Sequence, residues 1–156
     1  MRQKGADVGA SACAVTTPLP PALVAFVELF ERRAYWESHE VLESAWRASR
    51  SDFYKGLILL ASAYVHVVRG NAHGVVAQLR KAEHHLTPYA PAYGGVDVAA
   101  LLAHTRRALR AVEDRPAGPP PDLPALVPHL HLVLTAAHMR GDEPELAAGN
   151  SRLSTS

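Results

Sequence analysis

The stretch FYKGLILLASAYVHVVR, Phe53 to Arg69, limits the fold more than any other. Phe53, Leu57, Leu60, Ala61, Tyr64 and Val68 recur at helical spacing and make a broad apolar face. Its most apolar part, GLILLASAYVHVV, is too short to span a bilayer and carries Tyr64 and His66. A helix this apolar in water has to be covered by other elements. One stripe breaks the pattern. Lys55, Leu59, Ser62, His66 and Arg69, at steps of four and three, are mainly polar. A polar stripe on such a helix meets either solvent or polar partners.

Elements able to cover it lie on both sides. Pro21 suits a first helical turn, because its missing N–H costs nothing there, and Leu23, Phe26, Val27 and Phe30 follow at helical spacing. YWESHEVLESAWRAS is a second helix, and Ser51 or Asp52 caps the apolar third. Gly70 ends that helix, Asn71 caps a fourth over AHGVVAQLRKAEHHL, and Pro88 stops it. After the loop TPYAPAYGG, Asp97 caps a fifth helix, VAALLAHTRRALRAVE. Short loops between helices favour antiparallel neighbours, so the fold class is all-α, a compact bundle of about five helices. DRPAGPPPDLP is a Pro-rich linker. LVPHLHLVLTAAH alternates in part like a strand and is expected to pack on the bundle as an extended arm. The expected divisions are a disordered segment 1–17, a helical domain 18–113, linker and arm 114–139, and a disordered tail 140–156.

Composition removes several function classes. With 156 residues there is room for one domain with a real core. Sixteen Lys and Arg against fifteen Asp and Glu leave a net charge of +1, with no clustered basic face to neutralise phosphates, so no nucleic-acid partner is expected. The single cysteine, Cys13, excludes an internal disulfide and a Cys-rich zinc site. No targeting signal and no membrane span is legible, and a cytoplasmic location is expected. There is no G-x-S-x-G elbow and no Gly-rich phosphate loop.

What remains is the polar content of YWESHEVLESAW, Tyr35 to Trp46. Tyr35, His39, Leu42 and Trp46 form a core stripe, and Trp36, Glu40, Glu43 and Arg47 adjoin it, while Glu37 and Ser44 face water. A hairpin of helices two and three would bring His39, Glu40 and Glu43 toward Ser62 and His66. Burial penalises a lone carboxylate, so an imidazole answers it by a hydrogen bond or by sharing a metal. His39 and Glu43 at i, i+4 can offer two ligands to one ion, and His66 a third, in a set that suits zinc or iron(II). Glu40 is then the candidate general base. Trp36 and Trp46 are expected as core anchors flanking this cluster, with Ser62 and Arg69 in its polar lining. HEVLE is not the H-E-x-x-H motif, because Glu43 stands where a second His would be, and a metal-free His–Glu network competes with the metal. His129 and His131 in PHLHL lie on one side of an extended segment, a pattern that can bind metal and usually does not. His73, His104 and His138 read as surface residues.

FERRAYWESHEVLESAWR, then FYKGLILLASAYVHVVRGNAHGVVAQLRKA and LTPY, resembles the domain-of-unknown-function 309 family over about Phe26 to Tyr89. His39, Glu40, Glu43, Trp46, Gly56, Leu57, His66, Gly70 and Asn71 match its pattern, while Leu59 stands where members often have Gln. The resemblance implies a small all-helical protein of bacteria or archaea, with the label of predicted metal-dependent hydrolase and no assigned substrate. Three readings follow. One is a non-catalytic helical module with a polar His/Glu core between helices two and three, binding a small molecule or serving structure. Another is a metal-dependent hydrolase with His39, Glu43 and His66 as ligands and Glu40 as base. The third is a bundle that assembles through apolar faces as a homodimer. The hydrolase requires ring nitrogens of His39 and His66 within about 4–5 Å, as two ligands of one ion must be.

Overall fold

The computed structural model describes residues 19–139. The expected disordered ends, 1–17 with Cys13 and 140–156, lie outside the described residues. Six α-helices run through the described part: α1 Pro21–Glu31, α2 Tyr35–Ser49, α3 Asp52–Arg69, α4 Ala72–Leu86, α5 Val98–Glu113 and α6 Leu123–Leu126. Single 3₁₀ turns follow α4, at Thr87–Tyr89, and end the described chain, at Ala136–His138. Among the described residues no helix is long and apolar enough to cross a membrane.

The helix boundaries follow local chemistry. The side chain of Ser51 accepts the amide of Tyr54, that of Asn71 the amide of Gly74, and that of Asp97 the amide of Ala100. Each satisfies one of the donors that a helix start leaves unpaired. Gly70 closes α3 at φ 72°, a left-handed conformation that only glycine adopts without strain.

Helix α3 is the axis of the molecule. Eleven of its residues are buried, from Phe53 to Val67. α2 and α4 pack against it, and α5 packs against α4. Contacts at the helix ends show antiparallel pairing. Lys55 at the start of α3 sits 4.7 Å over the ring of Trp46 near the end of α2. A Cβ on Gly56 would lie 2.5 Å from Cγ of Leu86 at the end of α4. Glycine suits this point because a Cβ would press on the Leu86 side chain and force it to shift. Arg80 and Glu83 of α4 form ion pairs with Glu113 and Arg106 of α5.

Val68, expected on the apolar face of α3, is exposed: in the last turn the buried position is Val67, one residue earlier, and Val68 points to solvent. The loop after α4 contributes more than a connection. Tyr89 and Tyr93 pack edge-on against Phe53, with ring centroids 5.4 and 4.9 Å away.

Beyond α5 the chain crosses the Pro-rich linker, forms the four-residue α6 and continues extended. Leu130 and Leu132 are buried while His131 and Val133 are exposed, the alternation of a half-buried extended segment. The amide of Thr135 donates to the carbonyl of Gly95 at 2.9 Å and ties this arm to the loop before α5. The arm thus lies on the bundle, across the end of α1 and the start of α2.

Candidate functional site

The residues singled out on α2 and α3 do not assemble into one site. Their surroundings differ. Trp36 is 51% exposed and stacks on His39, with centroids 5.2 Å apart and planes 7° apart. It is not a core anchor, because its position is one residue off the stripe of Tyr35, Leu42 and Ala45 that α2 buries. Trp46 is partly buried against the core, and Arg50 and Lys55 both sit over its ring, at 4.6 and 4.7 Å.

Glu40 faces solvent. Glu43 pairs with Arg47 at 3.1 Å, one turn along the same helix. His66 has its Nδ1 3.2 Å from the side-chain amide of Asn71, against Gly74, where a Cβ would come within 2.5 Å of that nitrogen. Ser62 is partly buried and Arg69 exposed. His39 keeps a buried Nδ1 with no hydrogen-bond partner.

Ligand atoms of His39, Glu43 and His66 are not grouped within 4.8 Å. Among the described residues the only such group of three is Glu31, His129 and His131. These residues do form a cluster, and they form it under the arm. Glu31 is the last residue of α1, at the negative end of the helix dipole, where a carboxylate is disfavoured unless donors meet it. The arm supplies them. The amide of Leu132 donates to Oε2 at 2.8 Å. Nε2 of His129 reaches Oε2 at 3.3 Å, and Nδ1 of His131 reaches Oε1 at 3.1 Å. A carboxylate only accepts, so both ring nitrogens facing it carry protons.

That tautomer leaves Nδ1 of His129 bare, and the hydroxyl of Tyr35 donates to it at 2.7 Å. The imidazole, only 6% exposed, sits among Phe30, Tyr35 and Tyr64 with ring centroids 5.3, 5.9 and 6.3 Å away. Behind it the hydroxyl of Tyr64 donates to the carbonyl of Pro128 at 2.8 Å, and Nε2 of His104 reaches the same carbonyl at 3.1 Å. His104 is therefore a part-buried tether of the arm and not a surface residue.

The charges settle accordingly. Burial raises the Glu31 carboxyl, but the Leu132 amide and the two imidazoles outweigh it and hold the group below its ordinary value. Burial lowers His129, with the Glu31 hydrogen bond opposing, and burial likewise lowers His104 against the pull of the Pro128 carbonyl. Burial raises both Tyr35 and Tyr64, so these phenols stay protonated and available as donors. Beside His131 the arm and the start of α5 enclose a cleft of about 260 Å³, lined in part by Asp97, His131 and His138.

Spacing along the chain gives little hint of Glu31, which lies 98 positions from His129 and 100 from His131. The pair in PHLHL was the available signal, and its partner could be found only in three dimensions.

No curated protein and no solved structure matches the chain. The segment 23–78, from α1 through the first half of α4, matches the family described as Domain of unknown function (DUF309). Glu31 falls inside that segment and both histidines of the arm fall outside it. Over residues 23–78, about a third of its length, the chain is similar to the domain-of-unknown-function 309 family.

Proposed function

We propose that the chain is a non-catalytic binding module of the cytoplasm, in which a His/Glu/Tyr clasp fastens the C-terminal arm over the helices and so forms one wall of a small-molecule cleft. The observation that carries this reading is the expenditure of Glu31. Its two oxygens are taken up by the Leu132 amide and by His129 and His131, all from the arm. The polar atoms of Tyr35, Tyr64 and His104 are likewise directed at the arm. Groups engaged in this way hold the arm in place. The cleft of about 260 Å³ is near the lower end of small-ligand sites, which begin at about 300 Å³.

A double-mutant cycle on Glu31→Ala and His129→Ala tests the clasp. The two should couple by at least about 1 kcal/mol in denaturant unfolding, as residues of one network do. Additive losses count against a clasp.

Metal-dependent hydrolysis at α2 and α3 is a second reading, favoured by one observation, the buried and unpartnered Nδ1 of His39. Set against it are the Arg47 partner of Glu43 and the solvent-facing Glu40. Zinc or iron that copurifies in stoichiometric amount and is lost in His39→Ala would reinstate it.

A further inference from the structure

We propose that Glu31, His129 and His131 form a binding site for a zinc-class divalent cation, which staples the arm to the end of α1. The proposal rests on the clasp reading, since the arm must lie where the structure has it for the three residues to meet.

Geometry comes first. One ligand atom from each residue lies within 4.8 Å of the other two. Glu31 is 3.3 Å from Nε2 of His129 and 3.1 Å from Nδ1 of His131. Ligands about 2.0–2.1 Å from one ion at tetrahedral angles stand roughly 3.3 Å apart. The two contacts go to different oxygens, His129 to Oε2 and His131 to Oε1, so the ion would take one of them and draw in three ligand atoms that already lie within 4.8 Å. The donor set selects the metal: two imidazoles and one carboxylate suit zinc, whereas magnesium and calcium want oxygen ligands.

The surroundings hold these ligands in place. His129 is wedged among three aromatic rings and cannot swing away, and the Leu132 amide fixes the carboxylate. Tyr35 stands at the other ring nitrogen of His129, the position from which outer partners orient metal-binding histidines. Proton accounting is simple. To bind the ion, His129 moves its proton from Nε2 to Nδ1, which then donates a hydrogen bond to the oxygen of Tyr35 as the Tyr35 O–H rotates away, and His131 moves its proton from Nδ1 to Nε2. Both rings stay neutral. His131 is 73% exposed, which leaves the ion a path to solvent and room for a water as fourth ligand.

The test is calorimetric titration of chelator-stripped, untagged full-length protein with zinc chloride. One equivalent should bind with micromolar or tighter affinity, and millimolar magnesium should not compete. His131→Ala, at an exposed position, should weaken zinc at least tenfold while its melting temperature in chelator stays that of the wild type. His39→Ala should bind zinc as the wild type does. The proposal is overturned by absence of stoichiometric binding, by equal affinity in His131→Ala, or by loss in His39→Ala alone, which would move the metal to α2. Amide exchange of the arm in chelator separates the two claims. Slow exchange without zinc binding leaves the clasp and removes the metal, and fast exchange removes both.

Discussion

Replacing Glu31 with alanine strips the acceptor from three donors of the arm at once. Their fates differ. His131 is largely exposed, so water takes the place of the carboxylate at little cost. The Leu132 amide and Nε2 of His129 belong to groups with little access to water. A buried donor left unpaired costs about 1–3 kcal/mol. Partial relaxation of the arm keeps the pair near the lower end, for a combined loss of about 2–4 kcal/mol. An opposing effect is known in sign. Removing a negative charge from a helix C-terminus returns about 0.3–1 kcal/mol. The net expectation is a loss of about 1–3 kcal/mol, a drop in melting temperature of roughly 3–12 °C for a chain of this length. Glu31→Gln keeps an oxygen for the Leu132 amide but turns an NH₂ toward a ring N–H, and should fall between alanine and wild type. The assay is thermal unfolding in chelator, so that no metal contributes. If Glu31→Ala melts with the wild type, the arm is not held by this carboxylate and the reasoning fails.

Other substitutions examine separate parts of the account. Gly56→Ala gains about 1 kcal/mol of helix propensity but sets a methyl 2.5 Å from the fully buried Leu86, and overpacking costs about 1–3 kcal/mol. A net loss on the order of 1 kcal/mol is expected in urea unfolding, and a stabilised variant would mean that α3 and α4 are further apart. His104 is lowered by burial, so its contribution is fully present above the unfolded value near 6.5 and is lost as pH falls through the folded value. The stability advantage of wild type over His104→Gln should therefore shrink between pH 7.5 and 5.5, and a constant difference would contradict the burial of this ring. Trp36→Ala should change stability by no more than about 0.5 kcal/mol, the range of surface positions. A loss of several kcal/mol would restore Trp36 to the core.

What the sequence discloses here is what depends on near neighbours in the chain. Ser51, Asn71 and Asp97 cap their helices because a cap needs only a side-chain oxygen and an amide three residues on. The buried face of α3 was legible for the same reason, since periodicity is local. Helix α2 was harder. It carries aromatic, carboxylate and imidazole groups on adjoining stripes, and an error of one residue, about 100° of rotation, decides whether Trp36 is an anchor or a surface ring. Gly56 matched the family pattern without disclosing its reason, which is the side chain of Leu86 thirty residues later. The clasp lies at the far end of this scale. Its members come from the end of α1, the start of α2, the middle of α3, α5 and the arm, and the alternation in PHLHL marked only the two histidines of the arm. A chemical rule that a carboxylate at a helix C-terminus needs donors would have flagged Glu31. It could not have named the arm as their source.

Hydrogen exchange at the amide of Leu132, in wild type and in Glu31→Ala, tests the central claim most directly. That amide has a side-chain carboxylate as its partner, so its protection reports the clasp and no regular secondary structure. The account predicts slow exchange in the wild type, faster by at least tenfold in the variant, with amides in the middle of α3 far less affected. Fast exchange at Leu132 in the wild type, beside a protected α3, would mean that the bundle folds without its arm and that the clasp does not exist.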